Sequence, residues 1–524
     1  MRRRPEQRAT HARSGRAPSP PGLAPADIAI GGVIGAVLVA EAVRKLRAGL
    51  EAHGRHLIPV ALLGLAVVVA IGAIAAILWR RRGTPSHGRV GGGPTADGWA
   101  TRRELSGVLL EGAPGDRVVI GRMKRSLVVA ERLQSVLVVG PSQSGKTTSL
   151  AIPAVLDWAG PVLATSVKTD LVRDTIECRS SIGEVAVFDP TAVTGLETIG
   201  WSPLSGAGTW AGARRVADSL CSVGRRDGAI EDASYWYAAA ERLIAPLLRA
   251  AALASGSMGE VVRWLDEETV NEPLLALELA GERDAARVAR SCFAMEERQR
   301  SSVYATAQTV VAAYADPHVA DSERASRRLE AGWLLGDRSR TLYCSAPARD
   351  QRRLSPIFVA LVRETLDVAF EQASRLGKPL DPPLLVVLDE AANIAPLSDI
   401  DQLLATAAGH GVSFVTVWQD LAQIEARYGP RWATIVNNHR AKVVFPGVSD
   451  PRTLELLSVL IGDSEQPQHS RTTSKDGSWS ETQASGRAPV APAGWIRRMP
   501  EGSVLLVYGG LPPALLDTRP WFSR

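Results

Sequence analysis

The chain has 524 residues, of which 45% are hydrophobic, so it can form several units with sizeable cores, and its four scattered cysteines exclude a disulfide or zinc framework. Residues 1–97 contain 14 Lys and Arg against 5 Asp and Glu, whereas the rest of the chain contains 46 basic and 50 acidic residues. The net charge of +5 therefore comes from the N-terminal region and does not indicate DNA binding by the larger part, which would need a local patch or a ring of subunits.

The N-terminal region predicts a membrane anchor. After a basic cytoplasmic tail at residues 1–27, the apolar stretches 28–40 and 57–79 form a predicted transmembrane hairpin over residues 28–82. The longer stretch is uncharged and ends at three arginines; the shorter one is alternatively the core of a cleaved signal peptide. The hairpin puts ten arginines on the inner side against four basic residues outside, which favours a multi-pass protein of the cytoplasmic membrane with its body in the cytoplasm. Residues 83–98 predict a flexible linker.

A glycine-rich loop follows a predicted strand at residues 135–139. Its glycines, Lys146 and Thr147 have the spacing of a phosphate-binding loop, in which backbone N–H groups face the phosphates. The lysine reaches the β- and γ-phosphates, and the threonine hydroxyl ligates Mg²⁺. We therefore predict ATP and Mg²⁺ as cofactors here. The candidate ATP-binding residues are Gly140, Pro141, Ser142, Gln143, Ser144, Gly145, Lys146, Thr147 and Thr148.

Strand-like runs alternate with helical segments beyond residue 98, which predicts an α/β fold with a mostly parallel sheet covered on both faces. The predicted strands are residues 117–120, 135–139, 161–165, 184–188, 341–345, 384–388, 413–418 and 442–445.

One long segment interrupts this alternation. It has few strand signals, and apolar residues recur at helical spacing at 235–252 and 324–335. We predict a nucleotide-binding domain in two parts, residues 99–205 and 337–524, separated by an inserted all-helical domain at residues 206–336. Residues 464–494, rich in Ser, Thr, Gly and Pro, predict a long exposed loop.

Asp389 and Glu390 directly follow an apolar run at residues 384–388, which predicts a strand buried on both faces. Parallel sheets carry ligand chemistry at the carboxyl ends of their strands. Asp389 would hold Mg²⁺ together with Thr147, and Glu390 would activate the attacking water. Alternatively, Asp389 caps a helix that begins at Ala391. Catalysis requires that Lys146 and Asp389, 243 positions apart, meet across adjoining strand ends.

Taken in order, the motifs resemble those of the TraG/TraD-type coupling proteins of type IV secretion systems, particularly their actinobacterial branch. The similar segments are GPSQSGKT at 140–147, TSVKTDL at 165–171, FDP at 188–190, WSPL at 201–204, LDEAANIAPL at 388–397, GHGVSFVTVWQDLAQIEARYG at 409–429 and NNHRAKVVFPGVSD at 437–450. The resemblance implies a membrane-anchored, homo-hexameric ATPase with a RecA-like P-loop NTPase domain of the FtsK/HerA class. It also implies as partners relaxase-bound, single-stranded DNA, a relaxase or accessory protein docked on the helical domain, and the subunits of the conjugation channel.

The resemblance further implies roles for residues outside the two motifs. Gln419 ends the predicted strand 413–418, which should neighbour the strand of Asp389, so Gln419 would be the sensor that orients water. Lys168 and Asp170 would line the nucleotide or, as an alternative, form a surface ion pair.

An arginine from the next subunit would contact the γ-phosphate. Some relatives carry it in a stretch that corresponds to residues 407–411, which contains no arginine here. Arg440 is the first candidate for this role and Arg427 the second, whereas His410 receives no chemical role.

Three functions remain open on the sequence alone. The first is a coupling ATPase that translocates relaxase-bound DNA, and the second is a double-stranded-DNA translocase of the FtsK/HerA kind. The third is a coupling protein that delivers only protein effectors. A catalytically inactive scaffold does not fit the intact Lys146, Asp389 and Glu390.

Overall fold

The computed structural model describes residues 98–225, 231–330, 332–336, 339–473 and 479–523. They lie within one compact unit. The predicted basic tail, the transmembrane hairpin and nearly all of the linker lie outside the described residues. Within the described ranges, no helix has the length and apolar character needed to cross a membrane.

Fourteen strands are present in the described part of the chain. They are β1 (Leu109–Leu110), β2 (Val119–Met123), β3 (Ser126–Val129), β4 (Val136–Val139), β5 (Val162–Ser166), β6 (Val185–Phe188), β7 (Thr341–Ser345), β8 (Leu384–Leu388), β9 (Val412–Trp418), β10 (Ala441–Val444), β11 (Asp463–Thr473), β12 (Trp479–Pro489), β13 (Ser503–Tyr508) and β14 (Ala514–Asp517).

Twelve of these strands form one sheet, in the order β1-β3-β2-β14-β13-β10-β4-β9-β8-β5-β7-β6. The strands from β10 to β6 in that order are all parallel. The remaining five extend the sheet with antiparallel pairing. The prediction of a mostly parallel sheet is confirmed, and each predicted strand overlaps an observed one. Within this sheet, the sequence analysis missed β1, β3, β13 and β14.

The helices are α1 (Ile152–Asp157), α2 (Asp170–Arg173), α3 (Ile176–Ile182), α4 (Trp210–Ser222), α5 (Glu231–Leu253), α6 (Met258–Asp266), α7 (Asn271–Leu279), α8 (Arg283–Phe293), α9 (Glu297–Val311), α10 (Pro317–Ser322), α11 (Gln351–Leu376), α12 (Ile400–His410), α13 (Leu421–Tyr428), α14 (Trp432–Asn438), α15 (Pro451–Ile461) and α16 (Ala493–Arg497). Local signals start several of them: the Asp420 carboxylate accepts a hydrogen bond from the Gln423 N–H at the start of α13.

Both faces of the sheet are buried. Along β4, Leu137 and Val139 belong to one hydrophobic core, and Val136 and Val138 belong to another. Because successive strand residues point to opposite faces, this division shows that each face of the sheet has its own core. The helices α4–α9 pack in the first core, together with α11.

The segment between β6 and β7 contains helices α4–α10 and, in its described residues, no named strand. The prediction of a helix at residues 324–335 is wrong for the residues of this range that the structure describes. Arg328 forms a β-bridge with Gly200, and only Trp333–Leu335 forms a short 3₁₀ turn. The glycine at 332 has a left-handed backbone (φ 82°), which a continuous α-helix does not accommodate.

The predicted exposed loop at residues 464–494 is also wrong. β11 and β12 pair in antiparallel register from Asp463↔Pro489 to Thr473↔Trp479, and α16 follows. The two strands form a sheet of their own, separate from the large one. Their polar sequence has no apolar alternation, so it gave no strand signal. We call this element the long hairpin.

Candidate nucleotide-binding site

The loop after β4 has the backbone of an anion cradle. Gln143 and Gly145 have left-handed φ angles of 64° and 89°, which turn the chain sharply. A Cβ atom at Gly140 would lie 2.7 Å from Cβ of Phe445 and 2.8 Å from Oγ of Ser144, so only glycine fits there. The loop ends in a π-helical turn, Thr147–Ala151, which continues into α1. The helix start and the curled backbone together suit a phosphate group.

Lys146 is anchored on this loop. Its Nζ donates to the carbonyl oxygens of Gly140 at 2.6 Å and Pro141 at 2.7 Å. Burial lowers the pKa of Lys146, and the carboxylates of Asp389 and Glu390 oppose that change. The two carbonyl contacts thereby fix the Lys146 amino group beside the cavity.

Asp389 meets the phosphate loop directly. The Thr147 hydroxyl lies 3.2 Å from both of its carboxylate oxygens and shares its one proton between them, and Oδ2 accepts a hydrogen bond of 3.1 Å from Ser166 Oγ. Asp389 is only 3% exposed, and this burial raises its pKa to about 6. A hydroxyl beside a carboxylate is the oxygen donor set that Mg²⁺ prefers, so the residues present fit that ion.

The alternative role of Asp389 as a helix cap is wrong. Residues 390–393 form turns, and the next helix, α12, begins only at Ile400. The Asp389 side chain bonds to Thr147 and Ser166 instead of to backbone N–H groups of a following turn.

The two motif strands are not adjacent, which corrects the expectation of adjoining strand ends. β9 lies between β4 and β8 and pairs in parallel with both. The Gly140 N–H donates to the Trp418 carbonyl, and the Ala391 N–H donates to the Val417 carbonyl, both at 3.2 Å. The end of β9 therefore connects the two motifs. The predicted neighbour relation between the strand of Gln419 and the strand of Asp389 is confirmed.

Glu390 has an unusual backbone and a defined side-chain partner. Its φ angle is 61°, in the left-handed region that few non-glycine residues adopt. The Asn393 side-chain amide donates to Glu390 Oε2 at 3.3 Å, and the Asn393 N–H donates to the Glu390 carbonyl at 2.9 Å. Because strained backbone persists where surrounding contacts hold it, this turn fixes the direction of the carboxylate.

A cavity of about 100 Å³ joins these groups. Its lining residues are Ser142, Gln143, Gly145, Lys146, Thr147, Thr148, Lys168, Asp170, Asp389, Glu390, Val417, Trp418, Gln419 and Gln423. The cavity thus brings together most of the phosphate loop, both acidic residues and Gln419. Lys168 and Asp170 also line it.

Three polar residues at this site were missed by the sequence analysis. Ser166, at the end of β5, bonds to Asp389, and its Oγ also accepts a hydrogen bond of 3.2 Å from the Lys168 N–H. Asn393 holds Glu390, and Gln423 Oε1 accepts a hydrogen bond of 3.1 Å from the Gln419 N–H. Ser166, Asn393 and Gln423 all lie within the similar segments quoted above, but small polar residues after strands are too common to single out by sequence.

The two arginine candidates lie away from this cavity. Arg440 immediately precedes β10, whereas the phosphate loop follows β4. Because these neighbouring strands are parallel, Arg440 lies at the amino ends of the strands and the phosphate loop at their carboxyl ends. Arg440 pairs with Glu131 at 2.7 Å and lies over the Tyr508 ring, 5.7 Å from its centroid. Arg427 donates to backbone carbonyls, including that of Val223 at 2.9 Å.

Comparison with known proteins supports the resemblance to type IV coupling proteins. The family model described as "Type IV secretory system Conjugative DNA transfer" matches residues 115–524. The conjugal transfer protein TraG of Escherichia coli is 24% identical over 432 residues, which covers 75% of this chain and 67% of that protein. The protein VirD4 of Rhizobium rhizogenes is 23% identical over 402 residues, which covers 74% of this chain and 58% of that protein.

Solved structures show the same fold. The bacterial conjugative coupling protein TrwBdeltaN70 aligns with a TM-score of 0.61 and 20% identity, over 80% of this chain and 92% of that one. The plasmid coupling protein TrwB in complex with ADP and Mg²⁺ aligns with a TM-score of 0.60 and 19% identity, over 80% of this chain and 93% of that one. Since the family model spans most of the sequence, this chain belongs to the conjugative DNA transfer family of type IV secretory systems.

Proposed function

We propose that this protein is the coupling ATPase of a conjugative transfer system, which hydrolyses ATP to move relaxase-bound DNA to a type IV secretion channel. The contact of Thr147 with Asp389, beside Lys146 and Glu390, is the observation that most directly supports ATP hydrolysis. Membership of the family supports the transfer role.

In this proposal, residues 140–148 cradle the triphosphate, and Lys146 neutralises its β- and γ-phosphates. Thr147 and Asp389 would hold Mg²⁺, which supplies charge neutralisation on the phosphate oxygens. Glu390 accepts a proton from the attacking water. Gln419, which lines the cavity, orients that water.

The size of the cavity defines which part of the nucleotide it holds. Its volume of about 100 Å³ is below the roughly 300–1,000 Å³ of sites that enclose a whole ligand. We infer that it holds the phosphates and the metal ion, and that the nucleoside extends outward past Gln143 and Gln423.

We also propose the assembly that the sequence predicts. Residues 28–82 anchor the protein in the cytoplasmic membrane as a multi-pass hairpin, and the ATPase body forms a homo-hexamer in the cytoplasm. Arg440 acts in the nucleotide site of the neighbouring subunit, because it lies far from its own. Arg427 is the weaker candidate, since carbonyl oxygens of its own subunit already hold its guanidinium. The helical domain, residues 206–336, docks the relaxase or an accessory protein.

The test uses the full chain, purified in detergent, and a mating assay. Lys146→Ala should abolish ATP hydrolysis and DNA transfer, and Glu390→Gln should bind ATP without turning it over. Arg173→Ala, at a side chain that is 70% exposed, is the matched control and should retain both activities. Normal transfer by either site variant would refute the mechanism.

The same ATPase assay separates the alternative functions. Stimulation by single-stranded DNA supports the proposal. Stimulation by duplex DNA alone would identify a double-stranded-DNA translocase, and activity that no DNA changes would identify a coupling protein for protein effectors.

A further inference from the structure

A second cleft, of about 720 Å³, lies beside the nucleotide site. Residues of α4, α5 and α9 form one side of it, and the start of α11 forms another. The turn after Glu390 completes the wall through Ala392 and Asn393. The cleft therefore adjoins the residue that holds the Glu390 carboxylate. We call it the arginine cleft, because Arg349, Arg352 and Arg427 line it.

The charge of the arginine cleft is one-sided. In the part of the chain that the structure describes, its lining contains these three arginines and no Asp or Glu. Arg349 is 85% exposed and is paired only loosely, at 3.4 Å, with Asp350. Among the described residues, the side chain of Arg352 has no hydrogen bond or ion pair. A concave surface with one sign of charge concentrates ligands of the opposite sign.

A buried hydroxyl in the lining points to the same kind of ligand. Ser355, in the second turn of α11, is 2% exposed, and its Oγ has no hydrogen-bond partner among the described residues. Buried polar atoms almost always have a partner, so an unpaired one in a cleft wall needs a ligand group or a water molecule. The positive N-terminal end of α11, which begins at Gln351, also attracts anions.

We propose that the arginine cleft binds the phosphodiester backbone of a single strand of nucleic acid. Arg349 and Arg352 contact phosphate oxygens, Ser355 donates its hydroxyl, and the ring of Tyr237 stacks on a base. A volume of about 720 Å³ lies within the roughly 300–1,000 Å³ of sites that enclose one ligand, so the cleft has room for a short stretch of a single strand. This inference rests on the proposed function, because it names where that ATPase holds its DNA.

A strand bound in the arginine cleft would also affect the ATPase site. Asn393 lines the arginine cleft and donates to Glu390 at 3.3 Å. A strand that contacts this wall therefore changes the surroundings of the catalytic carboxylate. We infer that the arginine cleft carries the stimulation of ATP hydrolysis by single-stranded DNA.

The test measures binding of a fluorescent oligothymidylate to the full chain at several salt concentrations. The double variant Arg349→Ala/Arg352→Ala should bind roughly a hundredfold more weakly, about tenfold for each charge-assisted hydrogen bond removed. The slope of log K against log salt should become shallower by about 0.7 for each phosphate that the variant no longer neutralises. Basal ATPase activity should not change, and DNA stimulation should disappear. Arg375→Ala, at the far end of α11 and 71% exposed, is the matched control and should bind normally.

Ser355→Ala separates a ligand contact from a structural role. If the hydroxyl serves the strand, the variant binds oligothymidylate more weakly while its melting temperature is unchanged or higher, because an unpaired buried polar group has been removed. A lower melting temperature with unchanged affinity would overturn the assignment of Ser355.

Further outcomes separate this inference from the proposed function. If the wild type binds oligothymidylate and the double variant binds it equally well, the arginine cleft is not the site, and the coupling function stands. If the wild type binds no DNA, the proposed function itself fails. ATP binding is also measured in the Lys146→Ala background. If ATP binding there depends on Arg349 and Arg352 whereas oligothymidylate binding does not, the cleft is a nucleotide site and the proposal is overturned.

Discussion

Asn393 donates its side-chain amide to Oε2 of Glu390 at 3.3 Å, and this bond spans one tight turn in which Glu390 has a φ of 61°. The carboxylate that is proposed to activate water is therefore aimed by a neighbour three residues away. Asn393 itself does not line the nucleotide cavity. It is a positioning residue.

Asn393→Ala should lower kcat for ATP hydrolysis roughly tenfold and leave KM for ATP nearly unchanged, because only the orientation of Glu390 is lost. Steady-state kinetics of the full chain measure this split. Asn393→Gln, which can still donate from a longer side chain, should recover part of kcat. A rise in KM with normal kcat would show that Asn393 contributes to nucleotide binding instead.

Ser166→Ala should raise the Mg²⁺ concentration needed for half-maximal ATPase activity about tenfold, the usual effect of losing a hydrogen bond to a metal ligand. Ser166 Oγ donates to Asp389, and this bond lowers the pKa of Asp389, which burial raises to about 6. Without the bond the pKa rises further, so less of the carboxylate is ionised at pH 7.

The defect of Ser166→Ala should therefore shrink as the pH is raised above 7, and a Mg²⁺ titration at two pH values measures it. Ser181→Ala, at an exposed hydroxyl that donates to the Cys178 carbonyl, serves as the control. Equal Mg²⁺ requirements in Ser166→Ala and wild type would contradict the role of Ser166.

His439 should make stability depend on acidity. It is fully buried, and burial lowers its pKa from 6.5 to about 4. Its Nε2 bonds to Thr416 Oγ1 at 2.9 Å, and its Nδ1 bonds to the Ile435 carbonyl at 2.8 Å. Below pH 6.5, His439 binds a proton in the unfolded chain but stays neutral in the folded chain. The stability present above pH 6.5 is therefore lost as the pH falls toward 4.

Melting temperatures recorded between pH 7 and pH 4 test this. His439→Gln has no titrating ring, so its melting temperature should fall less over this interval than that of wild type. Parallel pH profiles for the two proteins would show that other groups control the acid sensitivity.

The ion pair between Arg519 and Asp157 should stabilise the end of the chain against α1. The Arg519 side chain is 10% exposed and that of Asp157 is 3% exposed, so removal of the Asp157 carboxylate takes away the ion-pair partner of a buried guanidinium. Asp157→Ala should lower the free energy of unfolding by about 3–5 kcal/mol. Arg287→Ala breaks a pair with Asp284 in which both side chains are exposed, and it should cost less than about 1 kcal/mol. Denaturant unfolding compares the two, and equal losses would refute the assignment.

The sequence was sufficient for the parts of the site that depend on local pattern. The phosphate loop needs glycines at fixed spacing before Lys146, and β8 needs an uninterrupted apolar run before Asp389, so both could be read directly. The position of Gln419 followed from expecting its strand beside that of Asp389.

The remaining parts depend on which strands become neighbours. The order of strands places β9 between β4 and β8, and no local pattern encodes that order. Ser166 reaches Asp389 only because β5 pairs with β8. The long hairpin is stabilised by its own backbone ladder, which polar side chains do not reveal.

The position of β4 has a consequence for how the protein is made. Both of its partners, β9 and β10, lie far downstream, at Val412–Trp418 and Ala441–Val444. At about 5–20 residues per second, a ribosome needs on the order of tens of seconds to deliver them. During that interval the apolar strand Val136–Val139 has open edges, which makes the nascent chain prone to aggregation. Chaperone binding during synthesis would protect this strand, and the phosphate loop can assume its final geometry only after β9 and β10 have been synthesised.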